Sequence, residues 1–385
     1  MSFLDVFVCE LKRIFSDVAL VLTIIGGVIL YSFLYPQPYV NQNVTSLDIS
    51  VVDFDKSDKS RDLIFKLDST PQIEVVKVDV SESDAKESLL KGEIKGIVVI
   101  PPKFKKSLAL HKTPTITVGV DNSYFLIYGG VLEGAMKSIL TQSVTLKVTN
   151  LLKNQVPINQ AKKVYTPYSL NIINFFNPQN SYTQYVIPAV FVLILQQTLL
   201  IGLGILGGGI NDSLAKKEDG YFRVAPIWMM ILSRFIIFGF IFFINMLFYF
   251  GFSFEMFGVT HLASIKELLT FGVMFLLASI SFGIFLGSVF SYREMATPLI
   301  LFSSLPLVFS AGFVWPKEAL NDVVIYLSML VPSTPAIDGF LKLNQMGATL
   351  DMVMDDYAIL SLQAIIYIFL GYYFINKKRK QSVKV

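Results

Sequence analysis

The chain has 385 residues, of which 53% are hydrophobic, and its mean hydropathy is +0.59. A purely soluble protein cannot bury so much apolar surface, so this composition excludes one and predicts a chain that uses lipid as part of its solvent. The net charge of +3 is too small to indicate a nucleic-acid partner, and none is expected.

Residues suited to metal binding or covalent chemistry are scarce. The chain has one cysteine, Cys9, and two histidines, His111 and His261. A single cysteine cannot form an intrachain disulfide, and one thiol does not make a metal site. The sequence contains neither the GxxxxGK[ST] loop that binds nucleotide phosphates nor a paired-glycine fingerprint. We therefore expect no catalytic residue, metal or cofactor in this chain.

An amphipathic helix is predicted at the N-terminus, over residues 1–17. Its apolar stripe consists of Leu4, Phe7, Val8, Leu11, Ile14 and Phe15. The residues off that stripe are Asp5, Glu10, Lys12 and Arg13. This periodicity is typical of a helix that lies in the membrane interface, and packing of the stripe against protein is the alternative.

The first transmembrane helix is predicted over residues 18–35, an uncharged run closed by Pro36. A signal peptide is the competing interpretation, but the preceding segment is long and contains acidic residues. The end of the run, YSFLYP, also lacks a small-x-small cleavage pattern. Lys12 and Arg13 precede the span and place the N-terminus in the cytoplasm by the positive-inside rule.

A polar domain is predicted over residues 36–177, on the periplasmic side. Short apolar runs predict strands, and amphipathic runs between them predict helices. The predicted strands are residues 46–55, 72–79, 94–102 and 114–121. The predicted helices are residues 57–69 and 81–93, followed by a long, broken helical stretch over 124–152. This alternation predicts an α/β fold with a largely parallel or mixed sheet.

Five further transmembrane helices are predicted within residues 178–376. The apolar runs that carry them are residues 178–211, 224–254, 268–292, 295–316 and 357–376. Six spans place both termini on one side, and the basic residues of the loops assign that side to the cytoplasm. These residues are Lys216, Lys217, Arg223, Arg293 and the block KKRK, which opens a basic cytoplasmic tail over residues 377–385.

An outer re-entrant segment is predicted over residues 317–356. Its apolar stretch 323–336 is short and broken by Pro332 and Pro335, and a span there would move the basic tail outside. A re-entrant or interfacial helix pair fits this stretch better. The predicted fold is thus a polytopic α-helical membrane protein with six transmembrane helices, cytoplasmic termini and an inserted α/β extracytoplasmic domain.

Small residues recur at four-residue spacing in two of the predicted spans. Ser279, Gly283 and Gly287 do so in the fourth span and predict a helix-packing seam. Gly204 and Gly208 show the same spacing in the second span. Such residues let two helix backbones approach closely.

The scarcity of charges within the spans limits the function classes. Arg234 is the only charged residue well inside an apolar run, and it is predicted to snorkel to the cytoplasmic face. Carriers driven by protons or sodium usually need intramembrane carboxylates, which these runs lack. A passive channel would need polar lining faces, whereas the spans are rich in Phe, Ile and Leu.

Several stretches, taken in order, resemble one protein family. VVDFDKSDKSRDLIFKLDSTPQIEV, KGEIKGIVVIPPKFKKSL and PTITVGVDNS are similar to the extracytoplasmic domain of type-2 ABC transporter permeases of the bacterial drug-efflux branch. FFNPQNSYTQYVIPAVFVLILQ resembles the Asn-Pro start of the family's second span, and AKKEDGYFRVAP resembles its cytoplasmic loop. SSLPLVFSAGFVWPKEALNDVVIYLSMLVPSTPAIDGFLK resembles its fifth span and outer re-entrant region.

This resemblance implies a half-transporter. Two permease subunits, either two copies of this chain or one copy and a paralogue, form the membrane pore, and separate ABC ATPase subunits bind ATP-Mg on the cytoplasmic side. The candidate coupling loop is residues 212–223, where Lys216, Lys217, Glu218 and Asp219 face the ATPase and Gly220 permits the turn. Tyr221 stands where the family usually has a threonine.

Asn177 and Pro178 are the candidate gate or start of the second span. The plainer interpretation is helix initiation, because proline is favoured in the first turn of a helix.

The expected function is that of a permease subunit of an ATP-driven ABC exporter in the bacterial inner membrane. It would move drugs or other lipophilic and amphipathic solutes outward, and ATP would be hydrolysed in the partner rather than in this chain. The resemblance alone implies a periplasmic adaptor and an outer-membrane channel as further partners. A membrane-anchored sensor or assembly factor that binds a ligand through its outer domain is the alternative.

Overall fold

The computed structural model describes residues 1–39, 45–110, 112–120, 125–153, 176–177, 181–216 and 220–384. Its main helices, in chain order, are α1 (Phe3–Ser16), α2 (Val18–Tyr39), α3 (Asp58–Asp68), α4 (Glu82–Leu90), α5 (Phe104–Ala109), α6 (Phe125–Lys153), α7 (Tyr182–Ala215), α8 (Gly220–Val224), α9 (Ile227–Phe257), α10 (Ile265–Val289), α11 (Ala296–Ser310), α12 (Asp322–Ser328), α13 (Ser333–Met346) and α14 (Leu350–Gln381). Its strands are β1 (Leu47–Asp53), β2 (Ile73–Asp79), β3 (Gly96–Ile100) and β4 (Thr117–Val120).

The chain forms two compact units. The helical unit comprises Met1–Gln42 and Asn174–Val385, and the α/β unit comprises Asn43–Ile173. The α/β unit is therefore built from one continuous segment, whereas the helical unit combines the two segments that flank it.

A four-stranded mixed sheet forms the centre of the α/β unit. Its strand order is β2-β1-β3-β4, with β1 parallel to both neighbours and β4 antiparallel to β3. The predicted strands and the helices over residues 57–69 and 81–93 are confirmed in position. The prediction of a break within residues 124–152 was wrong, because α6 is one helix of 29 residues.

Helix α6 packs closely on this sheet. A Cβ atom on Gly96 would lie 2.6 Å from a methyl carbon of Val131, so a larger residue at the start of β3 would force Val131 to move. Ile49, Val98 and Val131 are fully buried in the resulting core. Packing of its apolar face therefore holds α6 on the sheet, and the helix is continuous throughout.

The turn after β1 is held by two carboxylates. Asp53 accepts hydrogen bonds from the backbone N–H groups of Asp55 and Lys56 and from the hydroxyl of Ser60. Asp55 accepts from the backbone N–H of Lys105, at 2.9 Å, at the start of α5. Burial acts to raise the pKa of Asp55, but the hydrogen bonds from a Ser57 group and from the N–H groups at the start of α5 outweigh it and lower that pKa.

Among the described residues of the helical unit, five helices, α2, α7, α9, α10 and α14, are long and apolar enough to cross a membrane. The protein is therefore a polytopic helical membrane protein. Helix α7 lies at the centre of the helical unit. In its apolar stretch of 18 residues 94% of the residues are buried, compared with 22% in the corresponding stretches of α2 and α14. It packs against α2, α10, α11 and α13. Helices α2 and α14 therefore have exposed faces that lipid can contact.

The predicted fifth span, residues 295–316, is not a single helix of spanning length. Helix α11 has 15 residues, which gives a length of about 22 Å, shorter than the hydrocarbon core of about 30 Å. The helix ends because Gly312 adopts a φ of +90°, a left-handed conformation that does not continue a right-handed helix. Residues 311–315 follow it as bends.

Helices α12 and α13 form a bent pair, with an angle of 89° between them. The break contains Pro332, and α13 starts at the next residue with Pro335 in its first turn, where proline is tolerated. A proline-broken helix pair was predicted here, and the pair is observed. Its geometry is that of either a broken span or a re-entrant loop.

A π-helical turn over Leu22–Gly27 interrupts α2, and side chains of α9 bind the backbone around it. Asn245 donates to the carbonyl oxygen of Ile24, and the Tyr249 hydroxyl donates to that of Val28, both at 2.8 Å. Polar backbone groups at membrane depth need partners within the protein. These two bonds therefore attach α2 to α9.

Candidate functional site

The predicted seam of Ser279, Gly283 and Gly287 packs on α7 within the same chain. A Cβ atom on Gly287 would lie 2.5 Å from the carbonyl oxygen of Leu203, and one on Gly207 would lie 2.6 Å from the carbonyl carbon of Gly287. Ser279, on the same face of α10, is fully buried. The two helix backbones are thus in direct contact at the end that carries residues 212–223.

The C-terminal end of α10 is capped by side chains from two other helices. Asn211 donates to the carbonyl oxygens of Gly287, at 3.0 Å, and Phe290, at 2.7 Å. Lys378, on α14, donates to the carbonyl oxygens of Val289 and Phe290 at 3.2 and 3.1 Å. The last carbonyls of a helix lack partners within the helix. Here α7 and α14 supply them.

A buried ion pair joins the N-terminal helix to the third long apolar helix. The Nε atom of Arg234, on α9, lies 3.0 Å from Oε2 of Glu10, on α1, and Nη2 lies 3.4 Å from Oε1. Arg234 is 3% exposed and Glu10 is fully buried. The prediction that Arg234 snorkels was wrong, because its charge is neutralised inside the protein.

The buried face of α1 also differs from the predicted stripe. Val6, Glu10 and Ile14, spaced by four residues, are the fully buried positions, whereas Leu4 is 71% exposed. Placing Glu10 off the packing face was therefore wrong, since the arginine of α9 provides a partner for it there. The exposed apolar side chains of α1 are left to contact lipid.

Tyr221 connects the predicted coupling loop to the same ion pair. Its hydroxyl donates to the backbone carbonyl oxygen of Val6, at 3.3 Å, and to Oε1 of Glu10, at 3.4 Å. The guanidinium of Arg13 lies over its ring, 4.8 Å from the centroid. Burial raises the pKa of the Tyr221 phenol, and the carboxylate of Glu10 adds to that effect, so the phenol keeps its proton.

We call Glu10, Arg13, Tyr221 and Arg234 the Glu10 cluster. Two further contacts connect its surroundings to the rest of the bundle. Arg379, on α14, donates to the carbonyl oxygens of Ala225, at 2.9 Å, and Arg223. The other is an ion pair between Arg293 and Asp17, which precedes α2, at 2.8 Å.

The predicted coupling residues are described only in part. Lys216 forms an ion pair with Asp212 at 2.7 Å, with both side chains at least partly exposed. Lys217, Glu218 and Asp219 lie outside the described residues, and Gly220 is the first residue of α8. Their role in coupling stays a prediction.

Asn177 has a local structural role. Its side chain donates to the carbonyl oxygen of Ser181 and accepts from the N–H of the same residue, at 2.9 and 3.0 Å. These bonds attach Asn177 to the residue just before α7. Pro178 lies outside the described residues, and a gating role for the pair remains a prediction.

The sequence did contain a signal for the Glu10 cluster. An arginine within an apolar span requires a partner, and the apolar runs themselves contain no acid, so the partner has to come from a flanking segment. Glu10 is one of the few acids near the membrane end at which Arg234 enters. This pairing was missed because every charged residue of the amphipathic helix was assumed to face solvent.

Comparison with known proteins gives the family. The family described as ABC-2 family transporter protein matches residues 18–373. The chain belongs to the ABC-2 transporter family. No curated protein matches it. An ABC-2 family protein is the membrane component of a transporter, and membership implies association with an ABC ATPase and with the membrane.

Proposed function

We propose that this ABC-2 family protein is the permease subunit of an ATP-driven exporter. It moves drugs or other lipophilic and amphipathic solutes out of the cytoplasm or the bacterial inner membrane. A separate ATPase subunit binds ATP-Mg and supplies the energy. A second permease, identical or paralogous, completes the pore.

In the proposed topology the chain crosses the membrane six times and both termini are cytoplasmic. Helix α11 with the apolar residues that follow it completes the fifth crossing, and the bent pair α12–α13 is re-entrant on the outer side. The α/β unit is then periplasmic. A periplasmic adaptor and an outer-membrane channel are the proposed partners of that unit, and they rest on the family resemblance alone.

The single observation that carries this proposal is the family match over residues 18–373, most of the chain. The Glu10 cluster supports it because it connects the predicted coupling loop to α1 and, through Arg234, to α9. Tyr221 adjoins the segment 217–219, where we propose that the ATPase docks, and it contacts α1 directly. Displacement of that segment would be transmitted to α1 through Tyr221.

The ion pair then extends this connection into the membrane. Glu10, on α1, contacts both Tyr221 and Arg234. A movement of α1 would therefore also displace α9, which carries Arg234. A buried charge pair resists separation, because breaking it leaves an uncompensated charge. We propose that α1, α8 and the start of α9 move as one body when the ATPase closes on ATP.

Affinity purification of the chain from its native membrane in mild detergent tests the proposal, with identification of its partners and an ATPase assay. We expect a P-loop ATPase to co-purify, and the double variant Glu218→Lys/Asp219→Lys to lose it. The matched control is Glu74→Lys/Glu93→Lys, which reverses two exposed acids of the α/β unit.

Two results would contradict the proposal. One is the absence of any co-purifying ATPase together with the absence of nucleotide-dependent transport in proteoliposomes. In that case the sensor or assembly-factor function becomes the one to pursue. The other is retention of the ATPase by the Glu218→Lys/Asp219→Lys variant, which would show that the 217–219 segment is not the docking site.

A further inference from the structure

A half-open groove of about 470 Å³ lies between α1, α2 and α9. Helix α1 contributes Phe7, Leu11 and Phe15, which are spaced by four residues and so share one helix face. Asn245 is the one residue of the lining with a polar side chain, and its amide already donates to the carbonyl of Ile24. The groove therefore offers an apolar surface.

The wall formed by α9 faces the surroundings of the protein. Ile236, Phe240 and Ile244 are 45%, 67% and 49% exposed. They lie within a stretch of nine residues of the helix, about 12 Å along its axis. The same ridge continues to Leu232 and to Trp228, which is 56% exposed, and tryptophan is the side chain typical of the membrane–water interface. The groove thus runs from the interface into the hydrocarbon region.

A basic residue is next in sequence to the part of the lining that α1 contributes. Lys12 is exposed and follows the lining residue Leu11. Three acids lie on α1 or directly after it, and each has a partner: Glu10 pairs with Arg234, Asp17 pairs with Arg293, and Asp5 accepts hydrogen bonds from the N–H and the hydroxyl of Ser2. Basic residues at the membrane surface attract anionic lipid headgroups. Charge and shape together indicate a ligand with an apolar chain and an anionic head.

We propose that this groove binds one acyl chain of an anionic phospholipid from the leaflet in which α1 lies, with the headgroup next to Lys12. A second copy of the chain fits less well. A two-fold axis through this face would set one groove against the other, leaving both unfilled, and would bring the two Lys12 side chains together. This inference does not depend on the transported substrate or on the ATPase.

The site is also placed to affect the Glu10 cluster. Phe7 and Leu11 flank Glu10 in sequence, and Ile236 and Ile237 follow Arg234 closely on α9. An acyl chain in the groove packs against the same two helices that the ion pair joins. Bound phospholipid therefore stabilises the docked position of α1.

The test uses the purified full chain in phosphatidylcholine vesicles that contain a phosphatidylglycerol with a photoactivatable diazirine in one acyl chain. Mass spectrometry then locates the adducts. We expect adducts concentrated on residues 7–15 and 236–244, and we expect unlabelled phosphatidylglycerol to compete better than unlabelled phosphatidylcholine.

Matched variants distinguish the groove from general lipid contact. Ile236→Trp fills the groove from its rim and should abolish the adducts there. Leu232→Trp places the same side chain on the same ridge, at 43% exposure, but outside the lining, and should leave the adducts unchanged. Lys12→Gln should remove the preference for phosphatidylglycerol. Elution profile and thermal unfolding check that each variant is folded.

Three results would overturn the inference. Adducts spread evenly over all exposed helix faces would show ordinary lipid contact. Efficient labelling of the groove by a photoactivatable lipophilic solute but not by the phospholipid would assign it to a solute. Disulfide formation between two copies carrying Phe240→Cys would show that a second copy covers this face.

Discussion

Gly207 of α7 and Gly287 of α10 meet backbone to backbone. A Cβ atom on Gly207 would lie 2.6 Å from the carbonyl carbon of Gly287, closer than such atoms approach in folded proteins. Close contact of this kind relies on small residues, because helices in lipid gain their association energy from packing. The contact lies one turn from Asn211, which caps the end of the same helix α10. The position of that end is therefore determined by α7.

Replacing Gly287 by alanine should separate these two helices. The new Cβ would lie 2.5 Å from the carbonyl oxygen of Leu203, which is backbone and cannot move aside as a side chain can. Overpacking typically costs about 1–3 kcal/mol, and we expect the upper part of that range in the free energy of unfolding, measured in detergent. The control is Gly209→Ala on α7, where no atom lies within 4 Å of the added carbon. Equal stability of the two variants would contradict the contact.

Removing one partner of the buried ion pair should destabilise the protein more than removing both. Arg234→Met leaves the carboxylate of Glu10 buried without a counter-charge and should lower the free energy of unfolding by about 3–5 kcal/mol. Glu10→Met/Arg234→Met should recover most of that loss. The control Asp212→Asn breaks the partly exposed pair with Lys216 and should cost less than about 1 kcal/mol. Additive losses in the double variant would show that the two side chains do not interact.

The hydroxyl of Tyr221 should hold α1 against the bundle. Tyr221→Phe removes its bonds to the Val6 carbonyl and to Glu10, at a cost of about 0.5–1.5 kcal/mol. We expect faster amide hydrogen exchange in α1 and no change in the α/β unit. Tyr292→Phe, at a site 49% exposed, serves as the control. Unchanged exchange in α1 would mean that the hydroxyl contributes nothing to docking.

The α/β unit should lose stability in acid through Asp55. Its pKa in the folded protein is lowered from the usual 3.8. The ionised carboxylate therefore contributes stability that is fully present above pH 3.8 and is lost as pH falls through the folded pKa. Exchange of the amides at the start of α5, taken relative to its intrinsic rate at each pH, should accelerate over that interval in the native protein. In Asp55→Asn it should be faster at neutral pH and change less with acid, and an unchanged acid response would refute this assignment.

The regular elements of both units followed from periodicity in the sequence. Short apolar runs bounded by polar segments predicted the strands around Ile49 and Val98. Uncharged runs predicted the long apolar helices, because their length matches the bilayer. The end of α11 did not follow from this rule, because hydropathy continues through Gly312 and only the backbone conformation stops the helix.

The contacts between elements could be predicted only in part. The spacing of Gly283 and Gly287 indicated a seam, but its partner could not be identified from the same rule. Gly207 lies between the predicted Gly204 and Gly208, and Gly204 packs instead against Ala296 and Phe290. One turn of α7 carries several small residues near the same face. The crossing angle between α7 and α10 determines which of them contacts α10. That angle depends on the whole bundle.

The ion pair between Glu10 and Arg234 also has a consequence for biogenesis. The ribosome makes Glu10 first and reaches Arg234 only 224 positions later, after the whole α/β unit has been synthesised. During that interval the carboxylate lacks its guanidinium, and burying it alone would be costly. We therefore expect the nascent α1 to stay at the membrane surface until α9 has been inserted. Docking of α1 on α9 would thus be a late step in the folding of the protein.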